Sequence, residues 1–293
     1  MSTPQPPMPQ APAAAPEWRA PGGPYAGYTS PIPVVRTHLG HALASEWTKI
    51  RSVRSTMWTL GVFVLLVVGI GLAAGALVSA NSTSSDLDGE NPLTLGFFGL
   101  LLGSICIITL GVLTTASEYG TGMIRTTMTA CPSRARVLAA KSIVFFAVAF
   151  VFTLVTSAFV AMVQVSMLES AGARTPSGSE WLKATVGISL YIALLGLLSL
   201  LIGSVIRHSA GGITIMIGVV LAPLVIAMFM VAESMHKLRD WLFEYSIPNQ
   251  LSVFYSNSLT ESGPSGWDPL WIMLGVTAAV YAATYALLQS RDV

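Results

Sequence analysis

Charge is scarce in this sequence. Of its 293 residues only 10% are Asp, Glu, Lys or Arg, whereas 53% are hydrophobic and the mean hydropathy is +0.68. Soluble domains carry about a quarter charged residues. So few charges cannot cover a water-facing surface, and lipid is predicted to be the solvent for most of the chain. A net charge of +1 gives no reason to expect nucleic acid as a partner. Cysteine is almost missing as well. Cys106 falls in an apolar stretch and Cys131 in a polar loop, which implies neither a disulfide framework nor a thiolate metal site.

Catalytic signatures are missing too. ATP hydrolysis needs a phosphate cradle such as Gly-x4-Gly-Lys-Ser/Thr, and the chain has no Gly-Lys pair and no large polar region to fold around a nucleotide. There is no His-Glu-x-x-His and no intramembrane aspartate pair. Gly263-Pro-Ser-Gly matches the Gly-x-Ser-Gly around a rhomboid nucleophile, but it stands beside proline with no histidine on a nearby span, and turn chemistry explains it better. His38 and His41 lie one turn apart without a carboxylate or cysteine at ligand spacing. No catalytic residue, metal or cofactor is assigned to this chain.

What the chain has is long uncharged runs. A helix crossing ~30 Å of hydrocarbon needs about 20 apolar residues, and six runs meet that length. They place spans at about 58–79, 93–116, 142–167, 184–206, 210–232 and 269–289. Membrane strands alternate apolar and polar residues. Runs such as Gly61-Val-Phe-Val-Leu-Leu-Val-Val-Gly-Ile do not, so the fold class is an all-α membrane protein with six transmembrane helices in residues 57–293. No ionisable residue falls inside any of the six stretches, with Gln164 the most polar group there, which counts against an ion-coupled carrier. Pro223 should kink the fifth span. Gly71/Gly75 and Gly99/Gly103 have the small-xxx-small spacing of closely packed helices. Trp58, Trp267 and Trp271 stand near span ends, where headgroups favour them.

Six spans leave both termini on one side. Placing the N-terminus inside puts 11 Lys and Arg residues in inner segments and 4 in outer ones, in the sense of the positive-inside rule, so both termini are expected to be cytoplasmic. Residues 1–34 hold 10 of the 17 prolines and read as a disordered cytoplasmic tail. Over residues 35–56, Val35, Leu39, Leu43, Trp47, Ile50 and Val53 form one apolar stripe, the pattern of an amphipathic helix lying in the inner interface. After span two, Gly120 and Gly122 break the helix. Met123–Ala130 should form a short helix with Thr121 as its N-cap, Pro132 stops it, and Arg134, Arg136 and Lys141 anchor span three to anionic lipid. Between spans five and six, Met235–Tyr245 reads as an amphipathic helix ended by Pro248.

Three of these segments carry a family resemblance. Ser45-Glu-Trp-Thr-Lys-Ile-Arg-Ser-Val-Arg-Ser before span one, Thr115-Ala-Ser-Glu-Tyr-Gly-Thr-Gly-Met-Ile-Arg after span two and the closing Arg291-Asp292-Val293 resemble type-two ABC export permeases, especially those of high-GC Gram-positive bacteria. The resemblance covers roughly residues 36–293. It implies the membrane-spanning permease of an exporter that pairs with a second permease copy or homologue and binds separate cytoplasmic ABC ATPase subunits, which hold the ATP. It assigns the ATPase interface to Glu46, Trp47, Lys49, Glu118, Tyr119, Gly120, Thr121, Gly122, Ile124 and Arg125. An apolar, hydroxyl-flecked interior suits an amphiphilic cargo such as a drug, peptide antibiotic or lipid. The alternatives are an ATP-independent carrier or channel and a membrane immunity or anchor protein.

Overall fold

The computed structural model describes residues 38–83, 87–256 and 262–290. The proline-rich tail, residues 35–37 of the lead-in helix and the closing Arg291-Asp292-Val293 lie outside the described residues. Among the described residues ten helices of five residues or more, numbered here along the chain, make up the architecture: α1 (Leu39–Ser52), α2 (Arg54–Asn81), α3 (Gly96–Gly120), α4 (Met123–Ala130), α5 (Arg134–Glu169), α6 (Gly178–Ile206), α7 (Ser209–Phe229), α8 (His236–Glu244), α9 (Ile247–Val253) and α10 (Asp268–Ser290). Six of them, α2, α3, α5, α6, α7 and α10, are long and apolar enough to cross a membrane. The chain is thus a six-span all-α membrane protein.

The spans run past the uncharged stretches at several ends. α3 continues to Gly120 and α5 begins at Arg134, so Glu118 and Lys141 are helical residues at the end of the bundle that also carries α1 and α4, here called the near end. At 36 residues α5 is about 54 Å long at 1.5 Å per residue, which leaves its first turns clear of the hydrocarbon. The fifth span stops at Phe229, short of the expected 232, and Pro223 sits inside an otherwise continuous helix.

α3 and α6 form the centre, where Ile107, Ile108 and Val112 of one helix and Ile188, Ile192 and Leu195 of the other are all at most 1% exposed. Glycine permits the approach: a Cβ on Gly111 would lie 2.4 Å from the Gly196 carbonyl oxygen. Thr115 Oγ1 then donates to the Leu200 carbonyl at 2.9 Å. The two small-residue pairs face different partners. Gly99 and Gly103 admit Val67 of α2, and Gly71 admits Val160 of α5. Gln164, fully buried on α5, donates to the Gly71 carbonyl at 2.8 Å, so the most polar residue of the spans ties α2 to α5. By contrast α2, α7 and α10 turn Leu65, Leu77, Val225, Met228, Trp271 and Leu274 outward, the surface that lipid covers.

At the far end, α8 does not stop at Pro248. It ends at Glu244, and Pro248 opens α9, capped by Ser246, whose hydroxyl accepts from Asn249 N at 3.3 Å. Proline is as suited to a first turn as to a stop, and the sequence alone did not separate the two. Every residue of α9 is buried, Asn249 and Gln250 included. Their amides donate to the Glu244 and Tyr245 carbonyls at 2.9 and 2.8 Å, satisfying orphan acceptors at the end of α8. Trp267 also departs from expectation. It packs edge-on against Phe254, whereas Trp58 and Trp271 remain outward. Ser265, the candidate nucleophile of the Gly-x-Ser-Gly match, pairs its backbone N–H and its hydroxyl with Asp268 at the start of α10, a capping turn.

Gly111→Val should lower stability by about 1–3 kcal/mol, because a backbone carbonyl cannot move aside as a side chain can. Gly69→Ala, with nothing within 4 Å of its Cβ position, should be neutral or slightly stabilising. Unfolding midpoints of the detergent-solubilised variants, followed by tryptophan fluorescence, make the comparison.

Candidate functional site: a buried charge cluster at the near end

α3 unwinds at Thr121, and Gly122 adopts φ +74°, a left-handed turn that reverses the chain into α4. Gly122 is therefore the N-cap. Thr121, expected in that role, instead donates its hydroxyl back to the Ser117 carbonyl of α3 at 2.9 Å. α4 ends at Ala130, and after Pro132 the Ser133 hydroxyl caps α5 by accepting from Arg136 N. Only Ile124 of α4 is fully buried, while Met123, Arg125, Thr126 and Thr129 are exposed.

Behind α4 lie four charges. Lys141 Nζ donates to Glu46 Oε2 at 2.7 Å and to Glu118 Oε1 at 2.8 Å. Lys49 Nζ donates to Glu46 Oε1 at 2.7 Å, Glu118 Oε1 at 2.9 Å and Thr127 Oγ1 at 3.3 Å. Glu46, Glu118 and Lys141 are 4%, 2% and 4% exposed. The cluster joins α1, α3 and α5 and, through Thr127, reaches α4. Its two acids and two bases balance, which is what makes burial tolerable. Burial alone would raise the Glu46 carboxyl, but the charge and hydrogen bond of Lys141, followed by those of Lys49, hold it below the usual range. Burial likewise opposes the Lys49 ammonium, and Glu46 and Glu118 outweigh it, raising Lys49 above its usual value.

This arrangement revises one expectation: Lys141 does not anchor α5 to lipid but is enclosed between two carboxylates. The apolar stripe of α1 divides. Leu43 and Ile50 pack on the bundle together with Glu46, whereas Leu39, Trp47 and Val53 stay exposed. α1 is docked on its own chain, mainly on α5.

The ten residues singled out beforehand divide accordingly. Trp47, Gly120, Thr121, Gly122 and Arg125 are exposed around the near end, and Lys49 and Tyr119 are partly covered. Glu46, Glu118 and Ile124 are buried and hold the exposed set in place rather than adding to its surface. Tyr119 lies beneath Arg207, whose guanidinium carbon is 4.9 Å from the ring centroid. Arg207 occupies the tight turn between α6 and α7 with φ +59°. Sequence reasoning missed Lys141, Thr127 and Arg207 as members of this site. For Lys141 a signal existed: it and Glu118 are oppositely charged and flank the same loop at matching span ends.

The structure is thus a membrane bundle of six spans, with a lead-in helix and a short inter-span helix locked together by buried charge. The chain belongs to the ABC-2 transporter family: the model described as ABC-2 family transporter protein matches residues 42–223. That stretch contains all four charges of the cluster. Proteins of this family are the membrane-embedded transport subunits that work with an ATP-binding partner, not ATPases themselves. A comparison with curated proteins found no match.

Lys141→Met would leave two buried carboxylates with only Lys49 between them and should cost about 3–5 kcal/mol, with Lys141→Arg costing less; thermal unfolding measures both. The pH dependence follows from the two shifts. Glu46, held below 4.5, contributes fully above that value and loses its contribution as pH falls through the lowered one. Lys49, held above 10.5, contributes fully below that value and loses its contribution as pH rises through the raised one. Docking of α1, read as protease resistance around Arg51 and Arg54, should be flat between about pH 5 and about pH 10 and fail outside that window.

Proposed function

We propose that this chain is the permease subunit of an ATP-driven exporter, with its near end in the cytoplasm and α4 as the helix displaced by a separate ATPase. Two copies, or this chain and a homologue, enclose the route, and the cargo is an amphiphile such as a drug, peptide antibiotic or lipid. ATP binding draws the ATPases together, α4 moves, and the route changes the face to which it opens.

The observation that carries this reading is the two-sidedness of α4. One side is fixed to three other helices through Ile124, Thr127 and the charge cluster. The other is open to a partner along Gly120, Thr121, Gly122, Arg125 and Thr129, and Trp47 of α1 is exposed as well. A short helix gripped on one side and free on the other transmits a push without absorbing it. The 11-to-4 distribution of basic residues supports the cytoplasmic placement of that side, and the apolar, hydroxyl-bearing spans support an amphiphilic cargo.

Purification of the chain from its native membrane should bring down an ATPase. Arg125→Glu should weaken that association at least tenfold with the unfolding midpoint unchanged, because Arg125 is exposed. Glu118→Lys should lower both association and stability, because it acts from within the fold. Labelling of Cys131 by an impermeant thiol reagent added outside intact cells would overturn the orientation, and unaltered ATPase binding by Arg125→Glu would overturn the interface.

A further inference from the structure

We infer that Arg134 is a positioning residue that ties the last span, α10, to α4, so that displacement of α4 moves α10 as well. The inference rests on the proposed role of α4 and adds a second line of transmission to it.

Arg134 is the first residue of α5, and only Cys131, Pro132 and Ser133 separate it from α4. That connection has little slack. Cys131 N is bonded to the Thr127 carbonyl at 2.9 Å, Pro132 restricts the backbone, and Ser133 is engaged as a cap. A shift of α4 is therefore passed to the start of α5. From there the guanidinium of Arg134 reaches across the bundle and donates through Nη1 to the carbonyl of Leu288, 154 residues away. Leu288 lies in the final turn of α10, where the last four carbonyls have no partner within the helix. A cation at that position is also favoured by the helix dipole. Ile124 and Met128 of α4, Arg134, Ser204 of α6 and Leu288 line one small cavity of about 30 Å³, so the underside of α4 and the ends of two spans converge on this point.

The span held by this bond packs on α6 but buries few of its side chains. Met273, Thr277, Thr284 and Leu288 are the buried side chains of α10 beyond Pro269 at its first turn. Thr277 and Thr284, seven residues apart on one stripe, have buried hydroxyls without a hydrogen-bond partner among the described residues. Native interiors rarely leave such groups unpaired. This seam of α10 is therefore held by packing and not by side-chain hydrogen bonds of Thr277 and Thr284. The charge cluster does not reach α10: it joins α1, α3, α4 and α5. The Arg134 contact is a separate link, and its loss should release α10 while leaving α4 attached to its other neighbours.

The test uses the full permease with its ATPase in lipid nanodiscs, with Cys106→Ser and Cys131→Ser as background. Spin labels at Thr126→Cys on α4 and at Gln289→Cys on α10, each paired with a reference label at Ser170→Cys on the far end, report movement between nucleotide-free and nucleotide-trapped states. In the parent protein both labels should shift, by about 1–2 Å or more. In Arg134→Met the α4 label should still shift and ATP hydrolysis continue, while the α10 shift falls by at least half; Arg134→Lys should restore it in part. Should Arg134→Met fail to assemble, Arg134→Ala, which also removes the donor, carries the same comparison. An α10 shift of full size in Arg134→Met, or no α10 shift in the parent protein while α4 moves, overturns the inference alone. An α4 label that stays still on nucleotide trapping overturns the proposed role of α4 and this inference with it.

Discussion

The near end of this protein depends on one constraint: four charges removed from water must neutralise each other, and they come from three separate helices. Glu46 is on α1, Glu118 on α3 and Lys141 on α5, with Lys49 of α1 completing the set. A buried carboxylate without its cation is costly, so no one of these helices can leave the others without exposing or stranding a charge. The cluster therefore converts four short pieces of near-end backbone into one mechanical unit. Charge is scarce in this chain, and four of its charged residues meet at this one point.

Rigidity is graded across the rest of the bundle. α3 and α6 meet along glycine and small hydroxyl residues, close enough for Thr115 to hydrogen-bond the opposite backbone. Without a hydrophobic drive between helices in lipid, such close backbone contact and interhelical hydrogen bonding carry the association. α2, α7 and α10 surround this pair with mostly outward side chains. Of these three, α2 is nonetheless fastened closely, through Gly99 to α3 and through Gln164 to α5. The far end is closed differently: the buried α9 spends its polar side chains on satisfying the end of α8.

Much of this was legible in the sequence, for physical reasons. Hydrocarbon accepts only long apolar helices, so the six spans could be counted directly. α4 could be bounded because Gly122 and Pro132 are strong local punctuation. Other features depended on partners far away in the chain. The face that α1 turns inward was not readable, since Glu46 lies between Leu43 and Ile50 and its principal partner is 95 residues distant. An amphipathic stripe shows that a helix has two faces, but not whether lipid or protein covers the greasy one. Pro248 was ambiguous because proline serves the start of a helix as readily as its end. Lys141 was misassigned because a lysine beside a span is ordinarily a topology signal, and only the fold reveals the acids that surround it.

Val53 is the sole residue between α1 and α2, extended at φ −81°, ψ 115°, and it both closes the first helix and opens the second. With a joint this short, the azimuth of α1 around its own axis is dictated by residue number. One residue more or fewer here would swing Glu46 by roughly 100°, far from Lys141. At this joint a change of length is therefore costlier than a change of side chain, because only the former turns Glu46 away from its partners.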